Sequence, residues 1–221
     1  MRKELDVVIP VRDVVQYLDE AIDSALEQTR PCSQIIVVDA GSVIPVRIRN
    51  KATRIPITLI RSENPLTTGA ARNMGIRSSN GQVISLLDAD DIWPPNRNEI
   101  LLEALELSGA RAVYGAVKNF VVRGDEKAFA PESKLGSLAG STIFERALVD
   151  ELGYFDESLM LGEYVDWIAQ VFHSGSIIST SEQEVLWRRV HSDSTTAKAL
   201  ASRSRDDYIK VVRSWIEKRD S

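Results

Sequence analysis

Four short apolar runs constrain this chain more than any other feature of its sequence. They occupy 5–9, 35–38, 57–60 and 83–87 and are dominated by Val, Ile and Leu. Runs this short and this apolar suit strands buried on both faces, as in parallel sheets. Between the first two, Val14, Val15, Leu18, Ala21, Ile22, Ala25 and Leu26 recur at three- and four-residue steps, which marks one face of a helix. A second helix is predicted over 68–79, with Asn80-Gly81 as its stop. Strand, helix, strand at this pace leads to a mostly parallel sheet covered on both faces. Ligands of such sheets bind at the carboxyl ends of the strands. Here those ends carry Pro10-Val11-Arg12, Asp39 and the acidic run Asp88-Ala89-Asp90-Asp91. One stretch breaks the pattern. After Ser42 come Pro45, Pro56 and several β-branched residues, so only a short or broken helix is expected over 46–52.

The second half is less regular. Helices are expected over 96–107, 145–152 and 163–173, and β structure over 112–122 and 141–144. A polar stretch over 124–134 reads as a loop, and two further strands are expected at 177–179 and 185–190. Tyr208, Val211, Val212, Trp215 and Ile216 form the apolar stripe of a terminal helix over 203–219. No repeat or linker divides the 221 residues, so a single domain is expected over 1–221.

Composition narrows the class. The one cysteine, Cys32, rules out an intrachain disulfide and opposes a Cys-based zinc site. No run approaches the roughly 20 apolar residues of a membrane-spanning helix. Glu4 and Asp6 interrupt any signal-peptide core, so a soluble, cytoplasmic protein is expected. A net charge of -5 opposes general binding to nucleic acid. No G-x-G-x-x-G occurs, which disfavours a dinucleotide-dependent dehydrogenase. A nucleotidyltransferase needs a glycine-rich, lysine-bearing loop after the first strand, and Pro10-Val11-Arg12-Asp13-Val14 has neither.

Four local patterns bear chemistry, and each also has a plain structural account. Three carboxylates over 88–91 need a counter-charge at the end of an apolar strand. They form either a solvated turn capping the next helix or an oxygen-ligand site for Mg2+ or Mn2+. In Gly69-Ala70-Ala71-Arg72-Asn73-Met74-Gly75, small residues open a helix that presents Arg72. That arginine is either a surface residue or a fork of donors for phosphate or a base edge. Glu163 and Asp166 lie three apart, hence on one helix face. They suit the helix dipole, or serve as a general base toward an acceptor hydroxyl. In Arg188-Arg189-Val190-His191, alternation puts Arg189 and His191 on one face, with the histidine structural or a ligand. Trp93 and Trp167 are read as core.

These segments together resemble the family 2 glycosyltransferases of the GT-A fold over nearly the whole chain. The matching pieces are Val7-Val8-Ile9-Pro10-Val11-Arg12, Ile36-Val37-Val38-Asp39-Ala40-Gly41-Ser42, Ala71-Arg72-Asn73-Met74-Gly75, Leu87-Asp88-Ala89-Asp90-Asp91, Gly153-Tyr154-Phe155-Asp156-Glu157 and Arg189-Val190-His191. The resemblance implies an α/β fold, the GT-A (Rossmann-like) three-layer α/β/α sandwich with a mostly parallel central sheet. It implies inverting transfer of a sugar from a nucleotide-diphosphate donor, UDP- or GDP-linked, with Mg2+ or Mn2+. Residues 1–91 would form the nucleotide-sugar half, 92–200 the acceptor half, and 201–221 a C-terminal helix. By the same resemblance Pro10, Val11 and Arg12 line the nucleotide pocket, Asp39 accepts from the base, and Arg72 clamps base or diphosphate. Asp88, Ala89 and Asp90 face the donor, with Asp88 near the ribose and Asp90 a metal ligand. His191 matches a position that touches metal or diphosphate.

Two departures from the family pattern matter. Ala40 stands where a second acid is usual, which weakens any statement of which base is read. Tyr164 stands where many relatives carry the aspartate that is their proposed base, and a phenol of pKa about 10 is a poor base at neutral pH. Glu163 is therefore nominated as base and Asp166 as its alternative. A catalytically inactive nucleotide-sugar sensor or scaffold is the rival reading. The acceptor, whether saccharide, lipid, peptide or small metabolite, is not identified by these motifs. The basic residues of the terminal helix leave room for contact with a membrane surface or partner.

Overall fold

The computed structural model describes residues 3–49 and 52–192. Strands β1 (Leu5–Val11), β2 (Gln34–Asp39), β3 (Ile57–Arg61) and β4 (Val83–Leu86) pair in the order β3-β2-β1-β4, all parallel. The runs of β1, β2 and β4 become strands because both of their faces are covered, whereas β3, at the edge of the sheet, is only partly covered. Val7, Ile9, Ile35 and Val37 pack beneath helices α1 (Val15–Leu26) and α3 (Arg97–Ser108). Val8, Ile36, Val38 and Ile84 pack beneath α2 (Thr68–Arg77), α4 (Arg146–Leu152) and α5 (Glu163–His173). The result is the expected three-layer α/β/α arrangement, with one apolar core on each side of the sheet. Pro10 is tolerated inside β1 for a geometric reason. The Val8 carbonyl accepts from Leu87 on the β4 side, so Pro10, two residues on, also faces that side, where β4 has ended.

The sheet changes character beyond β4. Strand β8 (Thr142–Glu145) runs antiparallel between β4 and β5 (Ala112–Arg123). Strand β5 also pairs antiparallel with β6 (Glu126–Phe129) and β7 (Lys134–Leu135), and parallel with β9 (Ile178–Arg189). Two sequence expectations are corrected here. The stretch read as a loop over 124–134 holds β6 and the start of β7. Gly124, at φ 61°, turns the chain back onto β5, and the rings of Phe120 and Phe129 meet across the ladder at 5.4 Å. Most of the hairpin is exposed, so its side chains carry no apolar alternation to read. The two strands expected at 177–179 and 185–190 are one strand. Register shifts near Gly115 and Ala116 carry its polar middle past β5 without breaking the pairing.

A third expectation also fails. The described residues 46–49 form no helix. The Val46 N–H instead donates to the Asp39 carboxylate at 3.0 Å, and Pro45 before it has no N–H to give. The terminal helix expected over 203–219 lies outside the described residues. Among those described, no helix is long and apolar enough to cross a membrane.

Candidate active site

The carboxyl ends of β1, β2 and β4 meet at one edge of the sheet. Past β1 the chain turns through Asp13, whose φ of 61° is one that aspartate accepts. Its carboxylate accepts the Val43 N–H at 2.9 Å, and its own N–H reaches the Ser42 hydroxyl at 3.2 Å. Arg12 is exposed and donates to the Leu66 carbonyl at 3.1 Å, beside the half-buried Pro10 and buried Val11.

Asp39, the last residue of β2, is fully buried. Its carboxylate accepts the N–H groups of Ser42 at 2.8 Å and Val46 at 3.0 Å and a guanidinium N–H of Arg61. Arg61 also donates to the Ser42 carbonyl at 3.0 Å. Burial pushes the Asp39 carboxyl up, but the bonds from Ser42, Val46 and Arg61 outweigh it and hold it below its ordinary value. Asp39 thereby organises the loop that follows it. Gly41 is required in that loop, because φ is 80° and a Cβ would lie 2.5 Å from the Asn64 carbonyl oxygen. Arg61 was not singled out from sequence. The available signal was its position directly after the apolar run 57–60; that it stands in register with Asp39 came only with the fold.

Arg72 lies on α2, which Thr67 caps by accepting the Ala70 N–H at 3.2 Å. Its guanidinium is buried, donates to Asp88 at 2.7 Å and forms an ion pair with Glu163 on the first turn of α5. Burial works against the charge of Arg72, but Asp88 and Glu163 outweigh burial and raise its pKa. Two of the acids singled out from sequence are thus joined through one arginine.

Asp90 and His191 form the second cluster. The His191 Nε2 stands 2.9 Å from the Asp90 carboxylate, and the buried His191 Nδ1 has no hydrogen-bond partner. Ala89 between the acids points into the core below α1 and α3. Asp91 is buried and accepts the Arg189 N–H at 2.8 Å. Burial, with Asp90 and Asp88 adding to it, raises the Asp91 carboxyl well above its usual range.

Tyr164 turns inward. Its hydroxyl meets Ser137 at 2.8 Å and Thr142 at 2.6 Å, and burial pushes its pKa up to about 12. It joins α5 to β8. Asp166 is half-buried and accepts from Gln170, one turn on, at 2.8 Å. Trp93 and Trp167 are core residues, donating to the carbonyls of Gly140 and Gly153 at 3.1 and 3.0 Å.

This arrangement stands on a chain whose sequence matches the model of Glycosyl transferase family 2 over residues 6–155. The protein belongs to glycosyl transferase family 2. An uncharacterized glycosyltransferase of Rickettsia prowazekii is 31% identical over 216 residues, which cover 89% of this chain and 67% of that protein. Another, of Rickettsia felis, is 35% identical over 107 residues, 47% of this chain and 17% of its own length. The fold seen here is also that of S. aureus TarS. Its fragment 1–349 in complex with UDP-GlcNAc matches with a TM-score of 0.73 and 17% identity, over 96% of this chain and 65% of that one. This chain therefore spans only part of the length of such relatives.

The residues can be tested against a divalent cation. Among the described residues, no group of three or more His, Cys, Asp or Glu is gathered as a complete protein cage would be. Mg2+ does not need one, since it is held by one or two carboxylates together with substrate phosphates and water. Asp90 offers the carboxylate such a cation takes, and His191, whose Nε2 is hydrogen-bonded to that carboxylate at 2.9 Å, offers an imidazole nitrogen beside it. The pair fits that role, with the remaining positions left to the substrate.

Proposed function

We propose that this protein transfers a sugar from a nucleoside-diphosphate donor, UDP- or GDP-linked, to an acceptor hydroxyl, with inversion and with the help of Mg2+ or Mn2+. The observation that carries this reading is the single guanidinium of Arg72 holding Asp88, at the end of β4, against Glu163, at the start of α5. It brings an acid on the donor side and an acid on the acceptor side to one point of the strand-end edge. A complex of TarS with UDP-GlcNAc, on the same fold, supports a nucleotide-sugar donor.

In this reading residues 1–91 hold the donor and 92–200 the acceptor. Glu163 removes the acceptor proton as the acceptor oxygen bonds to the anomeric carbon and the bond to the diphosphate breaks. The proton ends on the carboxylate, the electron pair on the departing diphosphate, and attack from the opposite face inverts the centre. Arg72 keeps positive charge beside Asp88 while the diphosphate leaves. Asp90 and His191 would hold the cation, which neutralises diphosphate charge and makes it a better leaving group. Asp166, three residues from Glu163 on the same helix face, is the alternative base.

The test is calorimetry with UDP and Mn2+, followed by hydrolysis of a panel of nucleotide sugars. Metal-dependent UDP binding and hydrolysis of at least one donor are expected. Glu163→Gln should keep UDP affinity and lower turnover by about 100-fold or more. Wild-type turnover in that variant would pass the base role to Asp166. One rival, an inactive nucleotide-sugar sensor, is supported by Tyr164, which stands where an acid is usual and turns into the core. Binding of UDP with hydrolysis of no donor would select it.

A further inference from the structure

We propose that Arg189 is a positioning residue for the Asp90–His191 pair and that two residues of α1, Tyr17 and Glu20, hold it in place. The proposal rests on the reading of that pair as the diphosphate and cation corner of the donor site.

Arg189 ends β9 and is almost enclosed. Its Nε donates to the Asp90 carbonyl at 2.8 Å, and its backbone N–H donates to the Asp91 carboxylate at 2.8 Å. One end of its guanidinium forms an ion pair with Glu20. The guanidinium lies 4.5 Å from the centre of the Tyr17 ring and 4.7 Å from that of Phe120. The Tyr17 ring also packs on the imidazole of His191, at 5.1 Å between centres. Tyr17 and Glu20 are three apart on α1 and share a face. Lys127 on β6 holds Glu20 from its other side at 2.6 Å.

The choice of partner atom gives this cluster its meaning. Arg189 takes the backbone carbonyl of Asp90, not its carboxylate. It fixes the 88–91 turn and leaves the Asp90 carboxylate facing His191, whose ring Tyr17 orients. One planar fork reaches the carbonyl and Glu20 while stacking on two rings. A lysine ammonium, a compact charge without the planar fork, cannot reproduce that.

The test uses the full chain and three readouts. Mn2+ is titrated with and without UDP, following free Mn2+ by electron paramagnetic resonance. Donor hydrolysis is resolved into kcat and KM, and thermal unfolding reports folding. Loss of a residue that orients metal ligands typically costs about 10–100-fold in metal affinity or activity. Arg189→Lys should weaken Mn2+ binding in the presence of UDP within that range and lower kcat more than it raises KM. Glu20→Gln should act in the same direction and add little to Arg189→Lys. Tyr17→Phe keeps the ring and should bind Mn2+ as the wild type does, whereas Tyr17→Leu should weaken it. Tyr17 is half-buried, so this pair remains decisive if Arg189→Lys fails to fold. Wild-type Mn2+ binding in folded Arg189→Lys, or Tyr17→Leu equal to Tyr17→Phe, would overturn the proposal. A wild-type protein that binds neither UDP nor Mn2+ would instead overturn the functional reading, and the positioning role with it.

Discussion

Arg72 and Glu163 stand 91 positions apart in the chain and share a buried ion pair, and the same guanidinium reaches Asp88 at 2.7 Å. The contact joins α2 and α5 at the mouth of the site. It makes the position of the nominated base depend on an arginine from the donor half.

Removing that arginine should therefore cost both stability and function. Arg72→Ala leaves Glu163 buried without a counter-charge, and loss of one partner of a buried pair costs about 3–5 kcal/mol. Arg72→Lys keeps a charge but cannot fork to both acids, so it should recover part of the stability and little of the turnover. Urea unfolding and donor hydrolysis, measured on both variants, check this. Full activity in Arg72→Lys would show that the bridge does not align the site.

Tyr164 should behave as a structural residue. Tyr164→Phe deprives the hydroxyls of Ser137 and Thr142 of a partner, at a cost of about 1–2 kcal/mol. Turnover and its pH profile should stay as in the wild type. A lost basic limb in that profile would instead assign the phenol a part in the chemistry.

Asp39 should support stability with a definite sign. Its folded pKa lies below its ordinary value, so its contribution is complete above about pH 4 and is lost as pH falls through the folded value. Asp39→Asn should destabilise the protein at neutral pH and flatten the acid side of its stability curve. Urea midpoints taken across the acid range would show both effects. An unchanged acid slope would mean that other carboxylates dominate it.

Gly75 should be intolerant of even one methyl group. A Cβ there would lie 2.3 Å from a methyl of Val8, in the packed layer between α2 and β1. Overfilling a packed core costs about 1–3 kcal/mol, so Gly75→Ala should melt several degrees lower. An unchanged melting temperature would mean that α2 can shift away from the sheet.

The parallel strands β1, β2 and β4 were legible because each lies under helices on both faces, so burial writes itself as a continuous run of Val, Ile and Leu. The acidic turn was legible because Asp88, Asp90 and Asp91 follow such a run directly. The β6 hairpin was not, since Glu126 and Lys127 are exposed and β6 is held by backbone bonds to β5 that any side chain permits. The continuity of β9 was hidden for the same reason. Nothing local in the sequence told whether Tyr164 faces the site or the core.

From residue order alone came the layered sheet, the edge where its strands end, and the residue types gathered there. These follow from local periodicity and from carboxylates placed after apolar runs, which neighbours in sequence suffice to express. Only the folded chain decided that Arg72 holds Asp88 to Glu163, that Arg61 answers Asp39, and that Tyr17 and Arg189 enclose His191 and Asp90. Each of these pairs residues from different elements. Buried charge and orphaned polar groups are costly, so packing chooses their partners, and that choice exists only once the elements are assembled.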